Sequence, residues 1–173
     1  MKITERYASA VNSPNLKSKP DTTYSDTDVL GAFGLAGKKR PLAIALTRLF
    51  TGDNHAAREI VAILADEAWR RARFESVKMT RLQSQDIARA VLAWHRDGVC
   101  RPCGGHGYLQ ITGTPSIGDS ECPACRGTRK MPFEREFHAD RLGLAQWLQG
   151  EIEREQGEAG QAAMRALAPR IEL

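Results

Sequence analysis

The sequence predicts a mainly α-helical protein: a small helical domain, an inserted loop and β-hairpin element, and a C-terminal helical segment. Three observations predict it. Apolar residues recur at helical spacing in several separate segments. All four cysteines and six of the fifteen glycines fall within residues 100–130. The single strand candidate, "YLQIT" at 108–112, lies inside that same insert. With 173 residues, the chain can bury one respectable core or two small lobes, and 42% hydrophobic with 27% charged residues is ordinary for a globular protein.

Taken in order, residues 1–24 hold Pro14, Pro20 and several Ser, Thr and Asn with little apolar periodicity, and read as a flexible arm. A helical body should occupy 25–99. It opens at "SDTDVLGAFGLAG", where Ser25 or Thr27 can cap a short helix carrying Val29, Leu30, Phe33 and Leu35, with Gly37 as a stop. In "KKRPLAIALTRLF", Pro41 marks a helix start, with Leu42, Leu46, Leu49 and Phe50 to one side. The clearest stripe is Ile60, Leu64 and Ala68, widened by Ile63, Trp69 and Ala72, behind a cap at Asp53 or Asn54. A further helix is expected at 84–98, capped by Ser84, with Ile87, Val91, Leu92 and Trp94 apolar and Gly98 ending it. Residues 131–173 read as one or two helices, interrupted near Gly143 and weakened by Gly150, Gly157 and Gly160.

No apolar run approaches the roughly 20 residues that span a bilayer. The first residues lack the apolar core of a secretory signal. The expectation is a cytoplasmic protein without a membrane partner, in a reducing compartment where stable disulfides are rare. No Ser/His/Asp arrangement, phosphate loop or HExxH is present, so nothing points to an enzyme or to a small-molecule substrate. The net charge of +4 is unevenly spread. Residues 1–99 carry 16 basic and 11 acidic side chains, 100–141 carry 6 and 5, and 142–173 carry 3 and 5. A polyanion-binding surface, if the chain has one, belongs to the first two parts. Within them, "RRAR" (70–73) reads more readily as a solvated helix face than as a nucleic-acid patch, and "KKR" (38–40), at a helix start, reads equally as a phosphate contact or as a linker.

The spacing Cys100-x2-Cys103, eighteen residues, Cys122-x2-Cys125 is the most specific signal in the chain. Each CxxC aims two thiolates at one point, and two such knuckles close a tetrahedron around zinc. Flanking Gly104, Gly105, Gly107 and Gly127 allow the backbone to bend back toward the sulfurs. Four cysteines complete the shell, so one structural Zn2+ is expected in place of a catalytic one. A redox dithiol, a disulfide pair and an iron–sulfur cluster are rival readings. The first lacks its usual βαβ context, the second conflicts with the compartment, and the third with the spacing. His106 is near but superfluous as a ligand. Arg101, Arg126, Arg129 and Lys130 would be displayed on the braced turns.

The pair "CRPCGGHG" and "CPACRGTR" resembles the knuckles of the DnaJ cysteine-rich region, which usually carries four of them beside a J-domain; two are present here, without the HPD tripeptide. Two knuckles, a spacer of this length, Met131-Pro132 soon after, and an early "SDTDVLGAFGLAG" behind a Ser/Pro-rich arm resemble the lambda-type Q transcription antitermination proteins of phages and prophages. That resemblance covers about a third of the chain closely.

The resemblance implies a factor that recognises double-stranded DNA at a promoter-proximal element. It would join bacterial RNA polymerase paused with sigma factor still bound, and let it read through terminators of late or lysis genes. It also implies a helix-turn-helix, for which the candidate is 137–155, with Ala139 and Gly143 at the small-residue and turn positions. Its second helix would present Gln146 and Gln149 to bases, and Arg135 and Arg141 to phosphates. Glu151, Glu153 and Glu155 run against that assignment. From a different class, the alternative is a zinc-knuckle protein–protein adaptor or a DnaJ-like co-chaperone fragment.

Overall fold

The computed structural model describes residues 3–13 and 25–171. Among them, six α-helices run as α1 (Ile3–Val11), α2 (Asp26–Gly37), α3 (Pro41–Phe50), α4 (Ala56–Phe74), α5 (Arg81–Arg96) and α6 (Ala139–Ile171). Between α5 and α6 lie two strands, β1 (Tyr108–Gln110) and β2 (Ile117–Glu121), flanked by short 3₁₀ turns at Arg101–Cys103 and Phe133–Arg135. The protein is thus mainly helical with a small two-stranded sheet, as the sequence predicts. The chain divides into two compact units, Met1–Ile63 with Gly150–Leu173, and Leu64–Gln149.

In the first unit, Ser25 caps α2 with a reciprocal box. Its hydroxyl accepts from the Asp28 amide at 3.3 Å, and the Asp28 carboxylate accepts from the Ser25 amide at 2.9 Å. Val29, Ala32, Phe33 and Ala36 then fall on one buried face at i, i+3, i+4 and i+7. Leu35 lies off that stripe and is 72% exposed. Pro41 occupies the first turn of α3, which buries Leu42, Ala43, Ala45, Leu46 and Leu49. Ala163 and Leu167 of α6 join Val29, Ala32, Phe33 and Ala10 in one apolar cluster.

Ala10 belongs to a segment expected to be a flexible arm, and here the expectation is corrected. Ile3–Val11 is helical, with Ala10 fully buried and the Tyr7 ring 4.6 Å from that of Phe33. Ala10 and Tyr7 dock this short helix on α2. The remainder of the expected arm, 14–24, lies outside the described residues.

In the second unit, the latter part of α4 buries Leu64, Ala65, Ala68 and Ala72, α5 buries Ile87, Ala88, Val91 and Leu92, and α6 begins with buried Leu144, Ala145 and Leu148. Polar and cation–π contacts tie the three together. Arg81 bonds Asp66 at 2.5 Å and stacks on Trp69 at 4.0 Å, Arg71 sits 5.3 Å over Trp147, and Gln149 meets His95 at 3.2 Å. The cap of α5 is Thr80, not Ser84. Thr80 and Gln83 form the reciprocal box, whereas Ser84 is fully buried inside the helix and donates to the Arg81 carbonyl at 2.8 Å. Thr80→Ala should therefore destabilise this unit by about 1 kcal/mol. A fall in the urea midpoint with unchanged slope is the check.

The expected interruption at Gly143 is absent. Helix α6 runs without a break from Ala139 to Ile171, through Gly143, Gly150, Gly157 and Gly160. A glycine costs a helix interior about 1 kcal/mol. Each buried leucine or isoleucine returns roughly 1.5–3 kcal/mol. Leu144, Leu148 and Ile152, one turn apart on one buried face, outweigh the glycine beside them. Residues 137–155 accordingly contain no turn and no helix-turn-helix.

Candidate metal centre

The two knuckles are built from local backbone geometry before any ligand is considered. The first turns through Gly104, Gly105 and Gly107 at φ 57°, 81° and 86°; the second turns through Arg126, Gly127 and Arg129 at φ 49°, 77° and 67°. The two are locked together reciprocally. The Cys100 amide donates to the Arg129 carbonyl and the Cys122 amide to the Gly107 carbonyl, both at 2.9 Å. Gly107 is required where they meet, because a Cβ there would stand 2.9 Å from the Gly127 carbonyl oxygen. The antiparallel pair β1–β2 joins the knuckles at the far side, with Tyr108 opposite Glu121 and Gln110 opposite Ile117. At the near side, Val99 pairs with Lys130 and closes the insert where it enters and leaves the helices.

This framework brings the sulfurs of Cys100, Cys103, Cys122 and Cys125 within 4.8 Å of one another, all four buried. Sγ of Cys100 lies 3.9 Å from that of Cys122, and Sγ of Cys103 lies 3.7 Å from that of Cys125. Four thiolates around one ion at metal–sulfur bonds near 2.3 Å need sulfurs about 3.8 Å apart. The cluster fits one metal ion. The same distances are far beyond a disulfide bond of about 2.05 Å, and the four cysteines are free. A multi-iron cluster, holding each cysteine on a different iron, would spread the sulfurs more widely.

Burial is the largest influence on the two most perturbed thiols. It pushes Cys100 up to about 12. At Cys103 burial is outweighed by hydrogen bonds from the Gly107 amide, the Cys100 and Cys125 thiols and the Gly105 amide, which bring it down to about 7. The Gly107 amide lies 3.3 Å from the Cys103 sulfur. A cation entering this site displaces protons, so metal uptake is coupled to proton release.

The residues expected around the knuckles divide into two groups. Arg101, Arg126, Arg129, Lys130 and Arg135 are exposed, and none of the five joins an ion pair among the described residues. Arg126, Lys130 and Arg135 line one open hollow of about 490 Å³, floored by Trp94, Met131 and Phe133. Arg141 is instead paired with Asp140 at 3.7 Å. Gln146 is exposed on a continuous helix, while Gln149 is part-buried against His95, so the two do not form a reading edge.

The other basic clusters are engaged elsewhere. In "RRAR", Arg70 and Arg71 are bound to Glu67 and Glu75, each at 2.6 Å, and Arg73 stacks 4.7 Å from Trp69. In "KKR", Arg40 bridges Glu155 and Glu158. His106 is exposed and lies outside the sulfur cluster.

One contributor was not apparent in the sequence. Trp94, which its position on an apolar stripe assigns to the core, fastens the knuckle to α5. Its indole N–H donates to the Met131 carbonyl at 2.9 Å, its ring meets Phe133 edge-on at 4.9 Å, and Met131 packs on the four cysteines. The signal was its place one turn before Gly98, at the entrance to the insert. Comparison with protein-family models, with curated proteins and with solved structures gives no match.

Proposed function

We propose that this chain is a non-enzymatic transcription antitermination factor of the cytoplasm, with one structural zinc, that binds promoter-region DNA and RNA polymerase. The observation that carries the reading is the set of exposed, unneutralised cations, Arg101, Arg126, Arg129, Lys130 and Arg135, on and beside a turn that the four cysteines pin. Zinc is the metal of choice for a closed shell of four thiolates with no open position. Such a shell performs no chemistry, and its effect is to hold a cationic turn rigid at low entropic cost. Phosphates are the natural complement of that turn. The knuckle spacing, Met131-Pro132 and the early "SDTDVLGAFGLAG" support the same reading. DNA contact is assigned to the knuckle and its exit, since α6 has no turn to set a recognition helix.

Transcription in vitro on a template carrying the chain's own upstream DNA and an intrinsic terminator tests this. The zinc-loaded protein should raise readthrough severalfold, and only on the template with that DNA. Unchanged readthrough with metal bound and the correct promoter present would sink the reading. A protein–protein adaptor or co-chaperone fragment is the second reading, favoured by Leu109, Ile111 and Ile117, which stand 39%, 50% and 48% exposed on the hairpin. It predicts partner binding without any effect on readthrough.

A further inference from the structure

The two knuckles repeat one another in backbone conformation but not in sequence. At the first and third left-handed positions the first knuckle has Gly104 and Gly107, and the second has Arg126 and Arg129. A side chain in the left-handed region crowds its own carbonyl, and glycine relieves the strain. The backbone bonds made there are indifferent to side chain, since the Arg129 carbonyl accepts from Cys100 just as the Gly107 carbonyl accepts from Cys122. Both arginines are exposed, and neither joins an ion pair among the described residues. Eight other arginines, Arg40, Arg48, Arg70, Arg71, Arg81, Arg89, Arg141 and Arg154, do. The stem of Arg129 packs over Gly107, but neither guanidinium gains an ion pair for the strain of the second knuckle, which points to a charged contact outside the chain.

We propose that Arg126 and Arg129 are phosphate-contact residues for duplex DNA, and that the second knuckle is the face of the insert that meets it. The assignment deepens the function proposed above and rests on it. Each guanidinium offers a planar fork matched to two phosphate oxygens, from a turn fixed next to a metal-binding cysteine. Between them stand Gly127 and Thr128, small enough to let a phosphodiester approach, and Lys130 follows. Protein interfaces centre on buried aromatic anchors. Residues 122–130 contain none themselves, and the aromatics nearest them, Trp94 and Phe133, line the hollow beside Arg126 and Lys130 and not the stretch between Arg126 and Arg129; the exposed cations of that stretch favour a polyanion.

The test compares zinc-loaded wild type with the double variant Arg126→Gly/Arg129→Gly on a mixed-sequence duplex of roughly 30 base pairs, because phosphate contacts are sequence-independent. The variant should melt at or above the wild-type temperature. Its slope of log affinity against log salt should become shallower, less negative by about 1.8, and its affinity should drop roughly thirtyfold near 0.15 M salt. Equal affinity and slope overturn the assignment, as does retained DNA binding with loss of polymerase binding, which would make the contact an acidic protein. A variant that melts below wild type also overturns it, because the two side chains would then brace the turn. If wild type itself neither binds the duplex nor drives readthrough, the antitermination reading fails first. If wild type does both and the variant matches it, the arginine assignment alone fails.

Discussion

Cys122→Ser, or removal of the metal by a chelator, should abolish the ordered insert while leaving most of the helical signal in place. Within 100–130 the only buried residues are the four cysteines and Gly107, and Tyr108, Leu109, Ile111 and Ile117 are exposed. Ordering a residue costs about 1–2 kcal/mol of backbone entropy. An insert without an apolar core cannot offset that from packing, and the two-stranded sheet is too small to stand alone. Structural zinc in finger peptides contributes about 10–16 kcal/mol at neutral pH, which is the right scale. Metal analysis should give close to one zinc per chain for wild type and little for the variant. Hydrogen exchange should show the Cys100 and Cys122 amides losing protection when the metal leaves. Metal-free protein that keeps those amides protected would refute the account.

Phe33→Ala should cost the first unit about 3–5 kcal/mol, the usual range for emptying a buried aromatic site. Phe33 is 2% exposed, sits among Val29, Ala32, Ala163 and Leu167, and meets the Tyr7 ring at a tilt of 52°. Its loss leaves a cavity and also removes the dock for α1. All three tryptophans, Trp69, Trp94 and Trp147, belong to the second unit. The loss should appear as a lower urea midpoint, monitored by far-ultraviolet circular dichroism and by tryptophan fluorescence. A change below about 1 kcal/mol would mean that α1 and Phe33 are peripheral to the core.

The parts of the fold that the sequence made legible are those where one physical signal dominates. The cysteine spacing specifies a four-sulfur cluster because few backbones can satisfy two CxxC turns otherwise. The apolar stripe from Ile60 through Ala68 and the proline at the head of α3 are equally direct. Legibility fails where two signals compete. Gly143 argues for a turn locally, and only the buried face on both sides of it shows why the helix continues. Thr80 and Ser84 are both adequate caps by residue type, and burial of Ser84 decides between them. Strand β2, "IGDSE", has no apolar alternation to reveal it, because its register comes from the knuckles it joins. The importance of Trp94 depends on a contact 37 residues away, to Met131, which no local pattern encodes.

The reciprocal hydrogen bonds between the knuckles bear on how the metal is acquired. Each knuckle is closed by a carbonyl of the other, Gly107 for Cys122 and Arg129 for Cys100. Neither pair of thiols is thus presented in its final geometry until both turns have formed. Capture of the ion should be all-or-none, with no stable half-loaded species holding the metal on two sulfurs. During synthesis Cys100 and Cys103 emerge first, and the four-sulfur site is complete only after Arg129, whose carbonyl closes the first knuckle, has followed.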